Sequence, residues 1–126
     1  RLVMVDIDNF KTINDTLGHL KGDECLIAFS SILKGRCAPH PVYRFGGDEI
    51  CILFQGISLD QTLAICRESN QSLEDYCAQT LAGLPISASF GVACGRPDLS
   101  LYELLKNADT ALYESKKQKG SISVYQ

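Results

Sequence analysis

The sequence predicts an α/β sandwich in which a mixed, mostly antiparallel central sheet is flanked by helices. Three observations carry that prediction. The chain opens on a continuous apolar run, "RLVMVDI" at 1–7, of the kind that forms a central strand covered on both faces. Two apolar runs, "VYRF" and "EICILF", flank Gly46-Gly47, as expected for a tight hairpin. Segments with helical spacing separate these strands, so the element order is βααββαβαβ. With 126 residues, 45% of them hydrophobic, the whole of 1–126 reads as a single domain able to bury its own core.

Strand 1 ends in carboxylates, Asp6 and Asp8. Helical spacing follows over 9–17, with Phe10, Ile13 and Leu17 on one stripe, and over 22–36, with Cys25, Leu26, Phe29, Ile32 and Leu33 on another. Gly18 and Gly22 are expected to punctuate the turn between them. After the hairpin, a helix fits 59–82, with Asp60 near its start and Gly83-Leu84-Pro85 at its end. "ISASFGVAC" at 86–94 reads as a strand, 99–118 as an amphipathic helix and "ISVY" at 122–125 as a last strand.

A formal charge of -3 and a pI near 5.3 argue against nucleic acid or a membrane surface as partner, each of which calls for a basic face. The six cysteines are scattered, form no C-x-x-C and mostly sit among apolar neighbours, as in "DECLIAF". That pattern predicts reduced, buried thiols in a cytoplasmic domain rather than disulfides or a zinc site. No apolar run approaches the ~18 residues of a membrane span. The abrupt opening in a strand suggests a domain excised from a longer protein that carries an upstream sensor.

The hairpin turn sets two adjacent carboxylates, Asp48 and Glu49, beside two glycines. With strand 1 antiparallel to the strand after the turn, Asp6 and Asp8 approach them. Clustered like charges repel and raise one another's pKa unless a cation lies among them. Oxygen ligands around an open position suit Mg²⁺ or Mn²⁺, held by one or two carboxylates plus substrate phosphates. The glycines leave room for a bulky anion. An isolated Gly-Gly flanked by acids is ordinarily just an exposed turn; the acidic end of strand 1 is what favours the metal. Asp8 precedes a helix and is expected to serve as its N-cap.

"RFGGDEI" at 44–50 resembles the signature of the GGDEF diguanylate cyclase family, and "DIDNFKTINDTLGHLKGD" at 6–23 resembles its companion motif. "SASFGVA" and "NADTALYESKKQKG" follow in order, so the resemblance spans essentially the whole chain. It implies a fold akin to adenylyl cyclase and polymerase palm domains. It also implies an enzyme that condenses two GTP into cyclic di-GMP with release of two pyrophosphates, each of two facing domains holding one GTP.

By that resemblance Asp6 and Asp48 are metal ligands, and Ile7 offers its backbone carbonyl. Glu49 is a metal ligand or the general base for the attacking 3′-hydroxyl. Asn14 and Asp23 match the pair that hydrogen-bonds guanine, and His19 lies between them. Phe10 and Lys11 open a helix whose free N–H groups attract phosphate, and Lys116 matches a phosphate-contacting lysine. Ile50 stands where the pattern ends in Phe, an apolar exchange. Gly120 occupies a position expected to be basic, so either Lys119 substitutes through a one-residue slip or one triphosphate contact is missing. The inhibitory R-x-x-D site reads "CAPH" at 37–40, so no product-inhibition site is expected. The alternative is a degenerate domain that binds GTP as a regulatory module without turnover; its marker, loss of an acid at 6, 48 or 49, is absent from the sequence.

Overall fold

The computed structural model describes residues 1–80 and 86–126. The chain runs β1 (Leu2–Ile7), α1 (Phe10–Leu17), α2 (His19–Cys37), β2 (Val42–Gly46), β3 (Glu49–Leu53), α3 (Leu59–Thr80), β4 (Ala88–Ala93), α4 (Leu101–Lys116) and β5 (Ile122–Val124). The sheet order is β2-β3-β1-β4-β5, with only the β4–β5 pair parallel. The predicted element order and the mixed, mostly antiparallel sheet are thus the ones found.

β1 lies mid-sheet, which is why both of its faces are apolar. Val3, Val5 and Ile7 join Ile50, Ile52, Phe29, Leu33 and Phe90 in a core beneath α1, α2 and α3. Leu2 and Met4 face the other way, with Cys51, Ala93, Ala108 and Leu112 under α4. Phe29, Phe54 and Phe90 are the largest fully buried side chains, each stabilising the fold by roughly 1.5–3 kcal/mol through burial.

Local chemistry sets the helix ends. At α3, Ser58 Oγ accepts from the Gln61 N–H at 3.0 Å while the Ser58 N–H donates to Gln61 Oε1 at 2.8 Å, a reciprocal cap that starts the helix ahead of Asp60. At α4, Ser100 Oγ accepts from the Glu103 N–H. The expected end of α3 at Gly83-Leu84-Pro85 lies outside the described residues.

Two boundaries differ from expectation. Gly18 alone makes the α1–α2 turn, and Gly22 lies buried inside α2 rather than in the turn. In the hairpin Gly46 pairs with Glu49, so the two-residue loop is Gly47-Asp48, one step later than Gly46-Gly47. Gly47 takes a φ of 54°, and Arg44 Nε and Nη2 donate to its carbonyl at 3.1 and 2.9 Å.

Five of the six cysteines are buried and Cys94 is exposed, with no disulfide. Burial pushes the Cys37 thiol up to about 11 and Cys66 up to about 12. Among the described residues no helix is long and apolar enough to cross a membrane.

Candidate active site

Antiparallel register brings the acids together. Asp6 pairs with Glu49 across β1–β3 and with Ser89 across β1–β4. The β3 ladder ends there, whereas the β4 ladder continues to Ile7↔Ala88, so Ile7 lies past its last β3 partner. Residues opposite one another share a face, which places Asp6 and Glu49 on the α4 side. Asp48, at the hairpin tip, completes the group.

Asp6 is largely buried among them. Its side chain is 19% exposed, and Oδ2 lies 3.2 Å from Lys116 Nζ. Its Oδ1 is buried without a hydrogen-bond partner. Burial, reinforced by the neighbouring Asp48 carboxyl and opposed by Lys116, pushes Asp6 up to about 7. Asp48 lies within hydrogen-bonding reach of Asp6, and a neighbouring carboxylate brings a second acceptor rather than a donor. A pair of carboxylates with one orphaned oxygen is what a hard cation would relieve, so the residues fit Mg²⁺ or Mn²⁺. Among the described residues no group of three or more His, Cys, Asp or Glu is arranged to hold a metal ion. Asp6, Asp48 and the Ile7 carbonyl would therefore need phosphate oxygens and water to complete the shell. Glu49 is half-buried and lines a cleft with Met4, Phe45, Lys106 and Asp109.

Asp8 does not cap α1. The N-cap position is Asn9, left-handed at φ 59° with no side-chain cap bond; the turn aims Asp8 back toward β4 and α4. There it is 1% exposed. Its Oδ1 accepts from Ser89 Oγ at 2.7 Å and Lys116 Nζ at 3.0 Å, and its Oδ2 from Ser87 Oγ at 2.7 Å and the Gly120 N–H at 2.8 Å. Four donors saturate this carboxylate, in contrast to Asp6. For Lys116, burial works against the ammonium, but the bond to Asp8 and the charge of Asp6 outweigh it and hold its pKa above the ordinary value. Lys119 Nζ lies 2.6 Å from Asn9 Oδ1, so the lysine beside Gly120 reaches the β1–α1 turn. Phe10 is half-buried and Lys11 exposed at the start of α1.

Asn14 lies against Gly22, where any added Cβ would collide with the Asn14 Oδ1 and approach the Phe10 ring at 3.3 Å. A side chain at position 22 would have to push the Asn14 side chain aside. The Asn14 Oδ1 is a second buried acceptor with no partner. Asp23, next along α2, is exposed, and His19 is exposed one turn before Gly22.

The "CAPH" segment offers little to a ligand. Cys37 is buried, and His40 packs on Phe54 at 5.2 Å while its Nδ1 accepts from the Gln55 N–H. Arg36 turns to α3, with its guanidinium 2.9 Å from Ser72 Oγ and 3.4 Å from Glu68 Oε2.

Asp8, Ser87, Ser89 and Asn70, whose Oδ1 accepts from the Ala88 N–H and whose Nδ2 donates to the Gly120 carbonyl, are the parts of this region that sequence reasoning missed or misassigned. The alternation of Ser87 and Ser89 in an otherwise apolar strand was the available signal, since the two share a face with Asp6.

Comparison with known proteins bears on the family and the fold. The family model described as "Diguanylate cyclase, GGDEF domain" matches residues 1–121. The probable diguanylate cyclase DgcI of Escherichia coli is 38% identical over 118 residues, covering 92% of this chain and 25% of that protein. Diguanylate cyclase DgcM of Escherichia coli is also 38% identical over 118 residues, covering 91% of this chain and 28% of its own. The chain thus spans about a fifth to a third of the length of the curated relatives it matches. The active GGEEF domain of a diguanylate cyclase from Vibrio cholerae superposes with a TM-score of 0.89 at 26% identity, over 99% of this chain and 81% of that one. The GGDEF domain of DgcB from Caulobacter crescentus, solved with c-di-GMP, gives 0.89 at 27% identity, over 98% and 76%.

Proposed function

The chain belongs to the GGDEF domain family of diguanylate cyclases, and on that premise we propose that it condenses two GTP molecules into cyclic di-GMP with Mg²⁺ or Mn²⁺ as cofactor. The observation that carries the proposal is the orphaned, buried Asp6 Oδ1 beside the Asp48 carboxyl, at the end of a strand flanked by Lys116 and Lys119.

Asp6, Asp48 and the Ile7 carbonyl would hold the cation, which would supply positive charge against the transferring phosphate. Lys116 and Lys119 bind the triphosphate against the turn that opens α1, where unpaired N–H groups of the first helical turn also attract anions. Lys116 leaves Asp6 Oδ2 for phosphate while keeping its bond to Asp8. Asn14 and Asp23 read guanine, and the unsatisfied Asn14 Oδ1 supports that role because guanine supplies N–H donors; His19 lines the same pocket. Glu49 takes the proton from the 3′-hydroxyl as that oxygen attacks the α-phosphorus of the facing GTP. One P–O bond forms, the bond to the β-phosphate bridge breaks and pyrophosphate leaves; the same exchange in the other half closes the ring. One domain holds one GTP, so a second copy of the domain must supply the partner substrate.

Incubating the purified domain with GTP and Mg²⁺ and separating the products tests the proposal. Cyclic di-GMP and pyrophosphate are the expected products. GTP binding without product would select the regulatory alternative.

A further inference from the structure

Gly120, where a basic residue was expected, is held by both of its backbone groups. Its N–H donates to Asp8 Oδ2 at 2.8 Å, and its carbonyl accepts from Asn70 Nδ2 at 3.2 Å. Its φ of 79° is left-handed, and a Cβ there would stand 3.3 Å from Ser87 Oγ, so a side chain is disfavoured at this position. Both holding residues are buried, Asp8 at 1% and Asn70 at 8% exposure. Asn70 is tied down in turn, because its Oδ1 accepts from the Ala88 N–H at 2.8 Å. Asp8 also grips Lys116 directly, and Lys119 precedes the clamped glycine and reaches Asn9.

We propose that Asp8 and Asn70 form a clamp on Gly120 that fixes Lys116 and Lys119 around the β1–α1 turn, making them positioning residues for triphosphate recognition. The proposal rests on the assignment of GTP as substrate. Neither Asp8 nor Asn70 touches the phosphates; Asn70 acts through Gly120 on Lys119, and Asp8 acts on Lys116 directly and on Lys119 through Gly120. The clamp explains how the chain uses a lysine one position early: the glycine holds the loop, and the residue before it carries the charge.

The test compares binding of GTP and of GMP by calorimetry in the wild type, Asp8→Asn, Asn70→Ala, Lys119→Ala and the Asn70→Ala/Lys119→Ala double variant. Wild type should bind GTP more tightly than GMP, and each single variant should cut that ratio by roughly 3–10-fold with GMP affinity little changed. The double variant should lose little beyond Lys119→Ala alone, since the two changes act through one group. Asp8→Asn gives an opposed sign: merely removing a negative charge near phosphate would raise the GTP preference, whereas loss of the clamp lowers it. Unchanged or increased ratios in Asp8→Asn and Asn70→Ala, or equal losses for GTP and GMP, would overturn the clamp while leaving the substrate assignment standing. If Asp8→Asn does not fold, Asn70→Ala and its double variant decide the matter. A wild type with no preference for GTP over GMP would overturn the substrate assignment and the clamp together.

Discussion

The Lys116 ammonium lies 3.2 Å from Asp6 Oδ2, while the other oxygen of that carboxylate is buried with nothing to donate to it. A single lysine is therefore shared between an acid with four donors, Asp8, and one left partly unsatisfied. The contrast assigns different work to the two acids of "DID".

Stability of the metal-free protein should record the strain at Asp6. Its pKa is raised from an ordinary 3.8 to about 7, so between those values the folded state holds more protons than the unfolded chain and stability falls as pH rises. Asp6→Asn should leave melting unchanged near pH 4 and gain on the order of 1–3 kcal/mol above pH 7. Thermal denaturation in a chelator measures this; a destabilised Asp6→Asn at pH 8 would show that Lys116 already satisfies the carboxylate.

Guanine recognition should depend on the α1–α2 contact. Asp23→Ala should weaken GTP by roughly 1–3 kcal/mol, because guanine donors lose their acceptor, with little effect on ATP. Gly22→Ala should weaken GTP as well, since the added methyl displaces the Asn14 side chain. Equal losses for GTP and ATP in Asp23→Ala would assign that residue a structural role.

Product should not inhibit through the "CAPH" segment. A buried thiol and a histidine packed on Phe54 offer no cationic fork, and Arg36 is engaged with Ser72 and Glu68. Initial rates should be insensitive to micromolar cyclic di-GMP. Noncompetitive inhibition that disappears in Arg36→Ala would mean that Arg36 leaves α3 to bind product.

Elements marked by apolar periodicity were legible in the sequence, because burial imposes that periodicity directly. β1 could be read from an unbroken run, whereas the antiparallel partnership of β1 with β3 was a condition of the acid cluster that the register of the structure meets. Gly22 misled because glycine ordinarily interrupts a helix, whereas here Asn14 packs on it and fills the missing volume. The hairpin loop slipped by one residue because the pairing is irregular between Arg44 and Gly46. Asp8 was misassigned for a different reason: three of its donors, Ser87, Lys116 and Gly120, are 79, 108 and 112 residues away. Local rules see only the helix that follows it. Asn70 was invisible for the same cause, a polar residue on α3 whose partners belong to β4 and the loop after α4.

The central claim, that Asp6 and Asp48 together hold the cation for phosphoryl transfer, is tested most directly by cyclic di-GMP formation from GTP in wild type, Asp6→Ala and Asp48→Ala at saturating Mg²⁺. The wild type should make product, and each alanine variant should fall below detection while melting as a folded domain, because either change removes a ligand that the remaining groups cannot replace. Wild-type rates in either variant would contradict the account.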